Sequence, residues 1–164
     1  MVDPSQFRSL VVVDTLIKMG MWSQASENLL VGTALVESNL TYIKQLGGGP
    51  AVGFFQMEPN TAIDIANRYM THREQLGDRF ARAVNVISST SIDWGNVNGH
   101  DLVTKLICDM RFACAMARLR YWMVSAPLPD ADDIEGLAQY WKDHYNTAQG
   151  AGKVSDFIEK YRDN

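Results

Sequence analysis

Residues 36–62 read VESNLTYIKQLGGGPAVGFFQMEPNTA. Glu37 closes an apolar, helix-like run, TALVES, from Thr33 to Ser38. A glycine turn follows at Gly47, Gly48 and Gly49, then an apolar block, GFFQM, from Gly53 to Met57. Pro59, Asn60 and Thr61 then offer a proline and a polar cap for a new helix. The stretch reads as an acid at a helix end, facing an apolar wall across a flexible loop. An apolar wall disfavours the charged carboxylate and raises its pKa. A carboxyl kept neutral near working pH can donate a proton to a leaving group. Glycosidic-bond cleavage needs such a group.

Working outward, Leu30, Ala34 and Glu37 share one stripe at helical spacing, so the acid continues a core-facing row. Ser23 supplies an N-cap for that helix, with Glu27 in its first turn. Before it, Phe7, Leu10, Val11 and Ile17 mark an amphipathic helix ending near Gly20. Asp14 lies close to that face, as the partner of a nearby donor or as a second active-site carboxylate. Thr41, Tyr42 and Ile43 suggest a short strand or flap. The triple glycine lacks the Lys-Ser or Lys-Thr of a phosphate cradle, so it reads as conformational freedom.

Downstream, Asn60 is expected to cap a third helix carrying Ala62, Ile65, Ala66 and Tyr69. A fourth is expected from about Arg73 to Val86, with a charged, solvated side. Residues 88–99, SSTSIDWGNVNG, read as an irregular loop in which Trp94 pins the loop to the core or stacks on a sugar. His100 to Ser125 is expected to be the longest and central helix. Its core face is Leu102, Leu106, Met110, Ala113 and Ala117, with Arg111, Arg118 and Arg120 facing solvent or paired. Pro127 and Pro129 stop it. Asp132 or Asp133 starts another helix, with Ile134, Leu137, Ala138, Trp141 and Tyr145 on one stripe. A turn at Asn146, Thr147, Gly150 and Gly152 leads to a last short helix holding Phe157, Ile158 and Tyr161.

The 164 residues carry a net charge of −4, with 46% hydrophobic and 21% charged residues. That fits one soluble domain with a core of its own. No basic footprint argues for nucleic acid. VVVDTLIKM, residues 11–19, is too short and interrupted for a signal or a membrane span. The chain is therefore expected not to export itself. Cys108 and Cys114, if on one helix, sit roughly 9 Å apart by rise alone, beyond the ~7 Å limit for a disulfide. Both are expected to be free and buried. His72, His100 and His144 show no metal-ligand spacing, and no cofactor is expected.

The ordered set Glu37-Ser38, Gly53-Phe54-Phe55-Gln56 and Pro59-x-Thr61-Ala62 resembles the Glu-Ser, Gly-Leu-Met-Gln and Pro-x-Thr-Ala series of soluble lytic transglycosylases, which are lysozyme-like enzymes that cut peptidoglycan. Tyr145-Asn146 with Gly150, Gly152 and Val154 is similar to that family's Tyr-Asn-Ala-Gly-Pro-Gly-x-Val, expanded by two residues. The likeness spans about residues 23–161. At the family's Asn-Ile-x-x-Gly this chain has Asp109, Met110 and Ala113, which keeps a small packing residue.

The resemblance implies a mainly α, single lysozyme-like domain of about seven helices over residues 1–164. Residues 1–22 would be an N-terminal helical extension, and a short β-flap would follow Glu37. It implies that Glu37 is the one catalytic acid and base, cleaving the bond between N-acetylmuramic acid and N-acetylglucosamine to give a 1,6-anhydro product. Ser38, Gln56 and Phe55 would contact or frame the substrate, with Phe54 completing an apolar wall. Tyr145 would place its hydroxyl near Glu37, with Tyr140 as the fallback. A hydrolase of the same bond would need a second carboxylate; Glu58, Asp14 and Asp64 are the candidates. A non-catalytic virion or wall-binding domain is the remaining alternative. The expected partners are peptidoglycan strands and other phage virion or lysis proteins, with residence in a virion or host cytoplasm before action in the periplasm.

Overall fold

The computed structural model describes residues 1–71, 76–88, 92–94, 98–146 and 150–164. It is mainly helical, at 66%. The first helix opens where Asp3 accepts the amide of Gln6. It runs as α1 (Pro4–Phe7), a π-helical segment Arg8–Val13, and α2 (Asp14–Met19), and stops at Gly20 with φ 65°. Glycine takes that left-handed conformation without a Cβ penalty. The π segment rotates the apolar face relative to a regular helix. Phe7, Val11, Val12, Leu16 and Met19 are therefore buried, whereas Leu10 and Ile17, expected inside, are exposed.

This N-terminal helix belongs to the common core, because Phe7 packs against both Phe54 and Phe55 at 6.0 Å between ring centroids. Arg8 ties it down, donating to Glu27 at 2.7 Å, Asn28 at 3.0 Å and the Tyr161 hydroxyl at 3.1 Å. Glu27 also accepts the indole N–H of Trp22.

Helix α3 (Gln24–Ser38) starts with a reciprocal cap between Ser23 and Ser26. Every residue from Ser26 to Leu35 is buried. A helix buried on all sides belongs at the centre of a bundle, and this one packs against the helices Met110–Trp122, Ile134–Trp141 and Val154–Arg162. The centre is thus α3 together with the helix Met110–Trp122, not a single helix over 100–125. Gly32 faces the Phe157 ring so closely that a Cβ has no room.

After α3 the chain makes no extended strand among the described residues. The expected flap reduces to two isolated antiparallel bridges, Lys44 to Val52 and Val52 to Met57. Gly47, Gly48 and Gly53 all have positive φ, which turns the chain before a ladder can extend. Helix α4 (Pro59–Ala66) begins earlier than expected: Glu58 is its N-cap residue and Asn60 already lies in the first turn. A π-helical segment, Asn67–Thr71, prolongs it. Helix α5 (Leu76–Ile87) buries Phe80, Val84 and Ile87; its expected start at Arg73 lies outside the described residues. Trp94 is buried and joins the core.

The expected long helix is two. Helix α6 (Gly99–Cys108) ends at Asp109, whose φ of −124° and ψ of 98° leave the helical region. The Asp109 carboxylate then caps α7 (Met110–Trp122), accepting the Phe112 amide at 3.0 Å and the Ser88 hydroxyl at 3.0 Å. The break resets the apolar stripe. Met110, expected in the core, is 43% exposed. Cys108 is exposed, Cys114 is buried, and both are free.

Asp133 caps α8 (Ile134–Trp141), accepting the Gly136 amide at 2.8 Å. A π-helical segment, Lys142–Asn146, continues it. Thr147 lies outside the described residues. Helix α9 (Val154–Arg162) buries Phe157 against α3 and α8. No helix of the described residues is long and apolar enough to cross a membrane.

Candidate active site

The C-terminal end of α3, the loop of residues 42–58 and the C-terminal elements enclose a cleft of about 750 Å³. Glu37, Gln56 and Tyr145 all line it. They come from the α3 end, the Gly53–Met57 turn and the π segment after α8.

Glu37 is half-buried. Its Oε1 accepts the Trp141 indole N–H at 2.9 Å. Burial pushes its carboxyl upward from the ordinary value, against the hydrogen bond of Trp141, the nearby Asn146 amide and the positive charges of Arg120 and Lys160. Desolvation therefore outweighs four influences that favour the anion. Lys160 reaches the cleft while donating to the Leu35 and Val36 carbonyls at 3.4 and 3.5 Å, which occupies the open carbonyls at the α3 end. Arg120 stacks 5.3 Å from the centre of the Tyr145 ring and donates to the Tyr145 carbonyl.

The backbone just past Glu37 is unusual. Asn39 and Leu40 have φ of 52° and 47°, and Gln56 across the cleft has φ of 44°. Non-glycine residues in this region carry strain that the surroundings must hold, and such strain gathers at functional sites. Asn39 terminates α3. Gln56 is held by its own amide, which donates to the carbonyls of Gly53 at 2.8 Å and Tyr42 at 3.3 Å.

Several expectations change. Ser38 is buried outside the cleft lining, and its hydroxyl donates back to the Ala34 carbonyl at 3.0 Å. In this arrangement the hydroxyl is spent on the backbone of its own helix. The side chain of Phe55 is 1% exposed and packs on Phe7 with Phe54. The cleft that Glu37 lines takes its apolar surface from residues that include Val36, Met57 and Trp141, and not from Phe54 or Phe55. What Phe55 contributes is its carbonyl, which accepts the Tyr145 hydroxyl at 2.9 Å. Tyr145 thereby locks the Gly53–Met57 turn to the C-terminal wall and still feels the Glu37 charge. Tyr140 points elsewhere, donating to the Ala126 carbonyl at 3.0 Å.

Of the three candidate second carboxylates, only Glu58 lines the cleft. Asp14 is paired with Lys18 at 2.8 Å and Arg111 at 3.2 Å, and Asp64 lies near Arg68 at 3.9 Å. The cleft also carries Asp156, Glu159 and Asp163 on the α9 side. Trp141, Arg120, Asn146 and Lys160 had no site role in the sequence reading. Only the Tyr-Asn pair pointed to one of them, Asn146. Arg118, expected at the surface or paired, is 7% exposed. Among the described residues no cluster of His, Cys, Asp and Glu is arranged to hold a metal ion.

Chemically, the cleft offers one carboxyl biased toward its neutral form, a fixed indole donor beside it, two cations and an open acidic rim. No protein-family model, curated protein or solved structure matches the chain.

Proposed function

We propose that the chain is a peptidoglycan lytic transglycosylase, cutting the β-1,4 bond between N-acetylmuramic acid and N-acetylglucosamine and leaving a 1,6-anhydro end. The observation that carries this reading is Glu37, half-buried in a cleft of about 750 Å³ with burial raising its carboxyl. The cleft is the right size for a few sugar units. The protonated Glu37 donates to the glycosidic oxygen as the bond breaks. The resulting carboxylate then takes the proton of the C6 hydroxyl while that oxygen attacks C1 of the same muramic acid. Arg120, Lys160 and the Trp141 N–H stabilise the carboxylate between the two steps.

The second reading is a hydrolase, favoured by Glu58 on the same cleft wall. Delivery as part of a phage virion or lysis apparatus completes the proposal. The direct test is turbidity clearing of purified peptidoglycan by the parent and by Glu37→Gln. Clearing by the parent alone supports the reading; equal clearing by both removes Glu37 from the chemistry, and none by either makes the domain non-catalytic.

A further inference from the structure

Arg118 is buried at 7% exposure in α7, yet among the described residues it has no ion pair and its Nε has no hydrogen-bond partner. A guanidinium has five N–H donors and stays charged in a protein. Nε is the one guanidinium atom both fully buried and without a partner, and native structures rarely leave a buried polar group so. Its visible neighbours are aromatic. The guanidinium stacks 5.6 Å from the centre of the Trp122 ring, and the Tyr140 hydroxyl and the Cys114 thiol, both ordinarily neutral, lie close enough to act on it.

Arg118 also borders a hollow of about 300 Å³, walled by Trp122, Ser125, Pro127, Leu128 and Tyr140. The hollow is distinct from the Glu37 cleft. Arg118 and Arg120 are two residues apart on α7, hence separated by roughly 200° around the helix, and Arg120 alone lines the cleft. Trp122 stands at the mouth, 48% exposed.

We propose that this hollow is a second binding site, for a small ligand that carries one carboxylate on a compact apolar body, such as the terminal residue of a peptide. The planar fork of an arginine matches a carboxylate with two parallel hydrogen bonds. One cation balances one negative charge. A phosphate dianion would leave excess negative charge between aromatic faces, which are themselves negative. Pro127, Leu128 and the Trp122 face suit the apolar body, and the Ser125 hydroxyl suits an adjoining amide. The volume lies at the small end of ligand sites, which limits the ligand to about one residue.

The test is calorimetric titration of the full chain with N-acetylalanine, with its uncharged amide and inorganic phosphate in parallel. Saturable binding of the acid is expected, about tenfold or more stronger than the amide, the difference that one charge-assisted hydrogen bond supplies. Arg118→Met keeps the stem volume without the charge, and its affinity for the acid should fall about tenfold or more on the same ground. Trp122→Ala, at an exposed position, keeps the fold and also weakens binding. It decides the matter with the amide should Arg118→Met not fold. No saturable heat with the acid, unchanged affinity in Arg118→Met or in Trp122→Ala, or tighter binding of phosphate overturns the proposal.

Discussion

The indole N–H of Trp141 donates to Oε1 of Glu37 at 2.9 Å, joining residues 104 apart in the chain. The bond favours the anion, so it holds the Glu37 carboxyl below where burial alone would put it. Trp141→Phe removes the donor and keeps an aromatic ring. A hydrogen bond to a charged group contributes about 1.5–3 kcal/mol. The Glu37 carboxyl should rise, and the acid stays protonated to higher pH. The alkaline limb of the kcat/KM profile should therefore move up, with a lower maximum because the carboxyl is less well oriented. An alkaline limb that does not move would detach Trp141 from the titration of Glu37.

Glu37→Gln should lower clearing of peptidoglycan by ~10²–10⁴ or more, the usual contribution of one acid or base. Its stability effect has a definite sign. The folded pKa of Glu37 is raised, so the folded state holds the proton more tightly than the unfolded one. The stability this contributes is complete below the ordinary value of 4.5 and is lost as pH rises through the folded pKa. Glutamine never ionises and escapes that loss. The melting temperature of Glu37→Gln relative to the parent should rise between acid and neutral pH. A constant difference across that range would mean that the Glu37 pKa is unshifted.

Tyr145→Phe should cost stability as well as turnover. Its hydroxyl satisfies the Phe55 carbonyl in a buried setting, and orphaning such an acceptor costs about 1–3 kcal/mol. The released Gly53–Met57 turn carries Gln56, so turnover drops through loss of the cleft wall. Tyr140→Phe removes a bond to Ala126 near the surface and should cost about 0.5–1.5 kcal/mol, leaving clearing intact. Denaturant melts alongside clearing rates separate the two; equal effects of both variants on clearing would contradict this division.

How much was legible beforehand divides along physical lines. Local signals read well: Ser23 caps α3, Gly20 stops α2, and Asp133 caps α8. Each acts on a backbone group within a few residues, so spacing reveals it. Glu37 at a helix end and Tyr145 on the Trp141 stripe were visible for the same reason. The break at Asp109 was hidden because no Gly or Pro marks it, although an Asp three residues before a buried Phe is itself a cap signal. The π segments were also hidden, and they misplaced Leu10 and Ile17 by one register step. Arg120, Lys160 and Trp141 reach Glu37 only once α3, α7, α8 and α9 are packed. Charge and aromatic pattern along one helix say nothing about which distant carboxylate they meet.

The contact between Gly32 and Phe157 gives a test of that packing away from the chemistry. Gly32→Ala drives a methyl group into the Phe157 ring. Overpacking of this kind costs about 1–3 kcal/mol and pushes α9 outward, taking Lys160 off the end of α3. Phe157→Leu in the same chain makes room and should recover part of the loss. Independent, additive effects in the double variant would show that the two residues do not share the space.

The product distinguishes the two readings of the cleft. An intramolecular attack by the C6 hydroxyl needs only Glu37, because the nucleophile is already held in the site. Hydrolysis needs a second carboxylate, at ~5–5.5 Å for retention or ~6.5–9.5 Å for inversion. Glu58 is the N-cap residue of α4, yet its side chain makes no capping bond and lies exposed on the cleft wall. Asp156 is already accepting the Lys153 amide at 2.9 Å, which spends one of its oxygens on the α9 cap. Digestion of purified peptidoglycan should release muropeptides with anhydro ends, one water lighter than hydrolysis products and without new reducing sugar, as mass spectrometry reads directly. Glu58 takes no proton in that reaction, so Glu58→Gln should then leave the products unchanged and the rate within about twofold, as a surface change. Reducing muramic acid ends, lost together with activity in Glu58→Gln, would make the enzyme a hydrolase with Glu58 as its second carboxylate.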